Sequence, residues 1–405
     1  MAQAATAIST GRVTREALLS RAEALVPMLA ERAERTEEER RLPVDTVEDF
    51  HRSGLFRALQ PARVGGHELD YGMLVDMAAV AGKGCASAAW NLSNLASHHW
   101  MLAMWPKAAQ DEVWGGRGER ADTLISASVI FPAGRARKVD GGYLLSGRWP
   151  FCSGVDPSEW IMLGGVIPAA ADGGTADYRL FLVPKPDVRV HDVWFTSGLQ
   201  GTGSNDVEAT DLFVPEHRTV SADDVKGDPT PGAAVNPAPL YRVPVIAPFP
   251  YVLSGVAVGV ARGALDGFVD NLRSRVARYT GARMSDLQNV QIKVAEAAAL
   301  VDAAHLVMRA DCDETMAIAA AGRAPDMLTK AKYRRNGAFS AGLCVRAVDL
   351  LFQASGGGGI YKRNPIQRAF RDIHAVSGHI AFNMDVAGTT YGRLALGADP
   401  DNPTL

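Results

Sequence analysis

The chain has 405 residues, of which 47% are apolar and 21% charged, and its formal net charge is -3. This length and composition predict a globular protein with more than one structural layer or domain, and they exclude a disordered or collagen-like chain. The near-neutral charge, without a cluster of Lys and Arg between aromatic residues, argues against a nucleic-acid partner.

The four cysteines, Cys85, Cys152, Cys312 and Cys344, are far apart and form no C-x-x-C pair. This spacing predicts neither a zinc site nor a disulfide framework, and it favours a reducing compartment. Residues 1–12 lack the pattern of a signal peptide, and no apolar run reaches the roughly 20 residues of a membrane span. We therefore expect a cytoplasmic protein with no membrane partner.

The periodicity of apolar residues changes twice along the chain. Residues 14–120 show three- and four-residue spacing, which predicts helices. Residues 122–215 show short β-branched runs between Gly, Pro and Asp turns, which predict a small antiparallel barrel or sandwich. The expected strands are residues 124–131, 143–148, 160–166, 178–183 and 207–214.

The last part of the chain returns to helical periodicity. Residues 226–250, rich in Pro, Gly and Ala, are typical of a linker. Four antiparallel helices are expected after it, over residues 251–279, 285–321, 325–352 and 365–392. The predicted domains are a helical domain at residues 1–120, a β domain at 121–225, and a linker with a helix bundle at 226–405.

The sequence gives no support for a built-in nicotinamide site, a metal site or a hydrolase triad. The Gly-rich stretches at residues 198–203 and 356–359 do not join a strand to a following helix, as a dinucleotide site requires. The histidines do not match H-E-x-x-H or another metal spacing, and there is no G-x-S-x-G motif. We expect no bound metal.

Residues 353–361, Gln-Ala-Ser-Gly-Gly-Gly-Gly-Ile-Tyr, are followed by Pro365, Arg368 and Arg371-Asp372. Together they resemble the Q-x-x-G-G-x-G-Y…R…R-D signature of acyl-CoA dehydrogenases. The resemblance implies an α+β multidomain fold with an N-terminal helical domain, a central β-barrel and a C-terminal four-helix bundle. However, the dehydrogenases commonly carry a catalytic Glu just after this signature, and residues 374–389 contain none.

Further segments are similar to a monooxygenase branch of this family, which hydroxylates p-hydroxyphenylacetate, phenolic steroids and aromatic polyketides. They are residues 110–114, 141–149, 198–204, 214–217 and 364–374. The resemblance implies the oxygenase component of a two-component flavin-dependent monooxygenase. Such an enzyme hydroxylates a phenolic or indolic substrate through a flavin C4a-hydroperoxide.

The same resemblance implies the partners of the protein. Reduced flavin, either FADH2 or FMNH2, would come from a separate NAD(P)H-dependent flavin reductase, and dioxygen would be the oxidant. A homotetramer, a dimer of dimers, is implied as well. An acyl-CoA dehydrogenase, an N-oxygenase of an amino sugar and a flavin-binding scaffold without activity stay open as alternatives.

The resemblance also assigns catalytic residues. Ser153 falls where a hydroxyl faces the flavin N5, with Ser128 as a second candidate. His379 falls at the position that takes the proton of the phenol. His98 matches a histidine that contacts the substrate, although the adjacent His99 leaves the register open by one residue.

The remaining candidates would hold the flavin phosphate or adjoining groups. They are Arg275, with Arg273 and Arg278 as alternatives, and Gln353, Gly356 and Gly357 of the glycine-rich signature.

Overall fold

The computed structural model describes residues 13–169, 175–273, 276, 281, 283–399 and 405. Its N-terminal layer is helical, as predicted. The helices are α1 (Arg15–Glu31), α2 (Ala33–Glu39), α3 (Val44–Ser53), α4 (Met73–Ala81), α5 (Ala86–Leu102) and α6 (Lys107–Trp114). All 17 residues of α5 are buried. A helix buried on every side must pack against several elements at once, and α5 contacts α4, the first strand of the sheet and the C-terminal helices.

In the middle of the chain, the residues that the structure describes form one eight-stranded sheet. Its strands are β1 (Ile125–Ser128), β2 (Gly134–Val139), β3 (Gly142–Cys152), β4 (Trp160–Ile167), β5 (Asp177–Pro184), β6 (Arg189–His191), β7 (Asn205–Pro215) and β8 (Thr219–Ser221). The strand order is β6-β7-β3-β2-β4-β5-β8, and β1 pairs in parallel with β4. The five predicted strands are confirmed, whereas β2, β6 and β8 were not predicted.

The expectation of a closed barrel needs correction, because the sheet is open. Among the described residues, β6 pairs with β7 and β8 pairs with β5, and these two edge strands do not pair with each other. Each has three residues. Strands this short offer too few backbone groups for the continuous ladder that closes a barrel.

The described residues of the C-terminal region form five helices in place of the predicted four-helix bundle. They are α7 (Pro250–Leu272), α8 (Gln288–Ala320), α9 (Met327–Ser355), α10 (Pro365–Ser377) and α11 (Met384–Ala395). The single helix expected over residues 365–392 is broken between α10 and α11. At this break the side chains of His379 and Asn383 accept hydrogen bonds from Ala381 N and Val386 N. Such local caps compete with a continuous helical ladder.

Two segments of the described residues have the length and composition of a membrane span, namely Pro250–Leu272 and Met327–Ile360. In the most apolar 18-residue window of each segment, 72% of the first and 44% of the second is buried inside the protein. Burial against other elements is typical of long core helices, so these segments are weak evidence for a membrane protein.

Candidate active site

A cavity of about 760 Å³ lies where the sheet meets the helices. One wall comes from α5, from the ends of β1 and β3 and from the loop before β7. The opposite wall comes from the segment before α7, from α9 and from the break between α10 and α11. This volume is in the range of small-molecule sites. The described residues that line the cavity include no Asp or Glu, and their one permanent charge is Arg334.

A line of buried hydroxyl groups forms part of the sheet wall. Ser153 Oγ accepts a hydrogen bond from Trp90 Nε1 at 3.1 Å and lies 2.7 Å from Ser204 Oγ. Ser204 Oγ lies 2.7 Å from Thr202 Oγ1, which donates to the carbonyl oxygen of Leu199 at 3.1 Å. Because a carbonyl can only accept, the protons run from Ser153 to Ser204 to Thr202. Ser153 Oγ therefore keeps a lone pair for a further donor.

Ser128 and two aromatic rings complete this wall. Ser128 Oγ donates to Pro150 O at 2.7 Å. Phe151 has a φ of 62° and is 58% exposed, and its ring meets Trp194 edge to face at 6.2 Å between centroids. A positive φ is strained for so bulky a residue, and such strain is concentrated at functional sites.

His98 lies on the cavity wall, and its Nδ1 is 2.6 Å from the carbonyl oxygen of Ile125. Since that oxygen only accepts, Nδ1 carries the proton. Burial lowers the pKa of His98 to about 4, so the ring is neutral at pH 7 and its Nε2 is an acceptor. The adjacent His99 faces away, where its Nδ1 accepts from Trp114 Nε1 at 3.1 Å. Of the two neighbouring histidines that the sequence left open, His98 is therefore the one that lies at the cavity.

His379 lies in the break between α10 and α11. Its Nδ1 accepts from Ala381 N at 3.1 Å, so the proton of the neutral ring is on Nε2. Burial, reinforced by the positive charge of Arg334, lowers the pKa of His379 to about 4. The ring is packed against Trp90 and Phe249, with centroids 5.8 and 6.0 Å away.

Only some of the residues predicted from the sequence lie at the cavity. Ser128, Ser153, His98 and His379 share the cavity. The second group, Gln353, Gly356 and Gly357, is exposed at the end of α9 and in the turn after it, outside the cavity lining. Arg275 lies outside the described residues.

Sequence reasoning missed Trp90, Phe249 and Arg334 as residues of the site, and it placed Thr202 and Ser204 only within a motif. One signal for Arg334 was present. On α9, Ala331, Ala338 and Ala341 follow the three- and four-residue spacing of a buried stripe, and Arg334 occupies a position of that stripe. A charged residue at such a position predicts a special environment.

The cavity fits the flavin that the resemblance implies. A flavin ring is flat and carries hydrogen-bonding atoms along its edge. The sheet wall offers the hydroxyls of Ser128 and Ser153 for that edge and the rings of Phe151 and Trp194 for flat apolar contact. Among the described residues there is no group of three His, Cys, Asp or Glu side chains that could hold a metal ion.

Comparison with known proteins first defines the class. Residues 251–384 match the family model "Acyl-CoA dehydrogenase, C-terminal domain". A crystal structure of 3-HSA hydroxylase from Rhodococcus sp. RHA1 superimposes with a TM-score of 0.89 at 34% identity, covering 96% of this chain and 98% of that one. The chain thus has the acyl-CoA dehydrogenase-like fold, in which the strands of the sheet lie between two helical regions along the chain.

Sequence relatives then define the family. The oxygenase subunit HsaA of a flavin-dependent monooxygenase from Rhodococcus jostii (strain RHA1) is 36% identical over 92% of this chain and 97% of that protein. The oxygenase component of an FADH(2)-dependent resorcinol hydroxylase from Rhizobium sp. (strain MTP-10005) is 35% identical over 95% of each chain. The protein belongs to the oxygenase components of two-component flavin-dependent monooxygenases, and it is an enzyme that uses reduced flavin and dioxygen.

Proposed function

We propose that this protein hydroxylates a phenolic or indolic compound, using dioxygen and reduced flavin delivered by a separate NAD(P)H-dependent reductase. The bound reduced flavin would supply the activated oxygen. The observation that carries the proposal is a largely apolar cavity with flavin-compatible hydroxyls and a bare imidazole nitrogen. The relatives named above support it, since one is a resorcinol hydroxylase.

Ser153 would hold the flavin, with Ser128 beside it. The proton of Ser153 points along the hydroxyl line toward Ser204, because Thr202 donates to Leu199 at the end of that line. Toward the cavity, Ser153 Oγ is therefore an acceptor. Reduced flavin carries an N–H at N5, whereas oxidised flavin has a bare nitrogen there. The line of hydroxyls thus favours the reduced form.

His98 is the proposed base for the phenol. His98 lines the cavity, and its Nε2 carries no proton because Nδ1 donates to Ile125 O. A neutral imidazole of this kind can take the proton of a phenol while the oxygen of the phenol donates electrons to the ring that is being oxidised. The resemblance assigns this proton transfer to His379. The hydrogen bonds favour His98 as the base instead of His379. In neutral His379, Nε2 already carries a proton and Nδ1 accepts from Ala381 N, so neither nitrogen is available to take the proton of the phenol.

His379 would therefore act as a hydrogen-bond donor to an oxygen atom in the cavity. The rings of Trp90 and Phe249 lie against the imidazole of His379, with centroids 5.8 and 6.0 Å away, and make its surroundings apolar. Exclusion of water also matters for the whole cavity, since stray proton transfers release the activated oxygen as hydrogen peroxide before it reaches the substrate.

We also propose that the active form is a cytoplasmic homotetramer. Exposed apolar residues support contact between copies, namely Leu306 on α8 and Ile360 and Tyr361 in the segment after α9. The last two lie beside Gly356 and Gly357, so a second copy could receive Gln353 and these glycines at its flavin site. All four cysteines are free and buried, as in a reducing compartment.

Dehydrogenation of an acyl-CoA is the weaker candidate. Removal of a proton α to a thioester requires a carboxylate base, and the described residues of the cavity lining include none. Nothing in the cavity specifically favours an amino sugar.

The experiment is an oxygenation assay with a panel of phenols and indoles. We expect the purified protein to be inert with NADH and flavin alone. Addition of a flavin reductase should give a hydroxylated product, and its new oxygen should come from ¹⁸O-labelled dioxygen. Turnover without any reductase or chemical reductant, or reduced flavin that yields hydrogen peroxide alone with every aromatic compound tested, would contradict the proposal.

A further inference from the structure

Arg334 has no acidic partner in the part of the chain that the structure describes. Its only hydrogen bond there is from Nη1 to the carbonyl oxygen of Ile246, at 3.3 Å. Burial alone lowers the pKa of Arg334, and no carboxylate opposes this effect. The side chain lines the cavity, where it is the one permanent charge of the described lining.

Arg334 is half-buried, and a cation held largely away from water without a charge partner is unfavourable in an isolated protein. Transfer of a charge from water into an apolar site costs several kcal/mol unless a partner or hydrogen bonds compensate it. A guanidinium has five N–H donors, and one hydrogen bond to a carbonyl leaves most of them without an acceptor. An anion that entered the cavity would provide both the charge and the acceptors.

Arg334 lies on α9 and not on the sheet wall whose hydroxyls are compatible with a flavin. Trp90 connects the two walls, since it donates to Ser153 and its ring lies 5.8 Å from that of His379. Arg334 is near enough to His379 for its charge to lower the pKa of that histidine. The cavity that Ser153 and Arg334 share is lined mainly by aromatic and apolar side chains, Trp90 and Phe249 among them.

We propose that Arg334 binds a carboxylate of the aromatic substrate, so that the natural substrate is an aromatic acid. This inference rests on the proposed hydroxylase function. A planar guanidinium matches a carboxylate with two parallel hydrogen bonds, which fixes the orientation of the ring as well as its charge. The carboxylate would lie at the helical wall, and the ring would extend toward His98 and Ser153.

The test compares two ligands that differ at one group, a carboxylate in the first and a neutral hydroxymethyl group in the second. They are 4-hydroxyphenylacetate and the neutral 4-hydroxyphenethyl alcohol, titrated against the purified protein while its tryptophan fluorescence is followed, because Trp90 and Trp194 line the cavity. We expect the wild-type protein to bind the acid about 30-fold more tightly or better, the factor that loss of a buried charge partner typically costs.

Variants of α9 then assign the preference to one residue. Arg334→Met should abolish the preference for the acid and leave the affinity for the alcohol within a few-fold, and Arg334→Lys should keep part of the preference. Arg335→Met is the matched control, since Arg335 is adjacent but hydrogen-bonds Asn336 and stacks on Tyr391 outside the cavity. This control should bind both ligands like the wild type.

Three results would overturn the inference. They are equal affinity of the wild type for both ligands, an equal loss of both ligands in Arg334→Met, and weaker binding of reduced flavin in Arg334→Met with the acid preference intact. The last result would assign Arg334 to the flavin. The proposed function is tested separately, because an enzyme that hydroxylates a neutral phenol without preferring acids refutes only the role of Arg334.

Discussion

The two histidines of the cavity differ in exposure and in the partner of Nδ1, since His98 is buried and His379 is half-buried. In His98, on the fully buried helix α5, Nδ1 donates to the carbonyl of Ile125. In His379, in the break between α10 and α11, Nδ1 accepts from the amide of Ala381. Burial lowers both pKa values to about 4, so neither ring is charged at pH 7. The Nε2 atoms of the two rings then have opposite roles. Nε2 of His98 is an acceptor, and Nε2 of His379 is a donor.

This difference shows that the backbone around a histidine decides its chemistry when burial has removed its charge. A carbonyl beside Nδ1 leaves a base on the far side of the ring, and an amide N–H leaves a donor. The residue type and a depressed pKa are therefore insufficient to assign a general base. The predictions below test the two histidines against each other.

The largest effect is expected for His98→Ala. Loss of a general base typically costs about 10² to 10⁴-fold. Hydroxylation of a phenol should fall within that range while oxygen consumption continues, so hydrogen peroxide should replace the product. Activity should recover in part as the pH approaches the pKa of the phenol, near 10. Product and peroxide are measured per oxygen consumed, and an unchanged ratio would contradict the role of His98.

His98→Gln is a useful companion variant. Its amide oxygen can accept a hydrogen bond but cannot take a proton at neutral pH. We expect it to bind a phenol and to remain inactive. Full activity in this variant would assign His98 to positioning and leave the base elsewhere.

Acidification should destabilise the protein. Burial lowers the pKa of His98 and His379 to about 4 and that of His99 to about 3, and an unfolded chain has a value near 6.5. Between these values the unfolded state binds more protons, so the stability present above pH 6.5 is lost as the pH falls toward 4. Each histidine should contribute about 1.4 kcal/mol per pH unit in that window.

Urea unfolding at pH 7 and pH 5.5 measures this effect. His379→Gln should reduce the difference between the two pH values by the share of one histidine. Equal free energies of unfolding in wild-type protein at both pH values would show that these rings are not buried in the neutral form.

A smaller effect is expected for His379→Ala. Loss of one hydrogen-bond donor costs about 0.5–1.5 kcal/mol, which is up to roughly tenfold in the rate of hydroxylation. His379→Gln keeps an N–H donor and should recover part of this loss. The comparison is made at saturating reduced flavin. A loss as large as in His98→Ala, with recovery at high pH, would return the role of base to His379.

The smallest effect is expected at the sheet wall. Ser153→Ala should weaken binding of reduced flavin by about 1 kcal/mol, or roughly fivefold. Thr202→Val removes the hydroxyl that donates to Leu199 O, so the proton of Ser153 is no longer directed toward Ser204. The ratio of the affinity for reduced flavin to that for oxidised flavin should then fall. Anaerobic titrations of both flavin forms measure that ratio. An unchanged ratio in Thr202→Val would contradict a role for the direction of the hydroxyl line.

The sequence predicted the order of helices and strands because long stretches keep one periodicity, as in α10 and β7. It did not predict the break after α10. Residues 365–392 are helical in periodicity on both sides of that break, and the interruption depends on the side-chain caps of His379 and Asn383. The five-helix arrangement and the orientation of His379 follow from that break.

The site was predictable where residues belong to motifs and unpredictable where the fold assembles it. Ser153 and His379 were found by resemblance to a family. Trp90 joins Ser153 to His379 across more than 200 positions of sequence. Contacts of this kind leave no local pattern, because every residue of α5 is buried and its polar residues do not mark one exposed face.

The direct test of the two-histidine assignment is the tautomer of each ring. Protein labelled with ¹⁵N-histidine can be studied by NMR at pH 7, with His98→Gln and His379→Gln to assign the signals. We expect a bare Nε2 in His98 and a protonated Nε2 in His379, both in neutral rings. A protonated Nε2 in His98, or a charged ring at either position, would contradict the assignment.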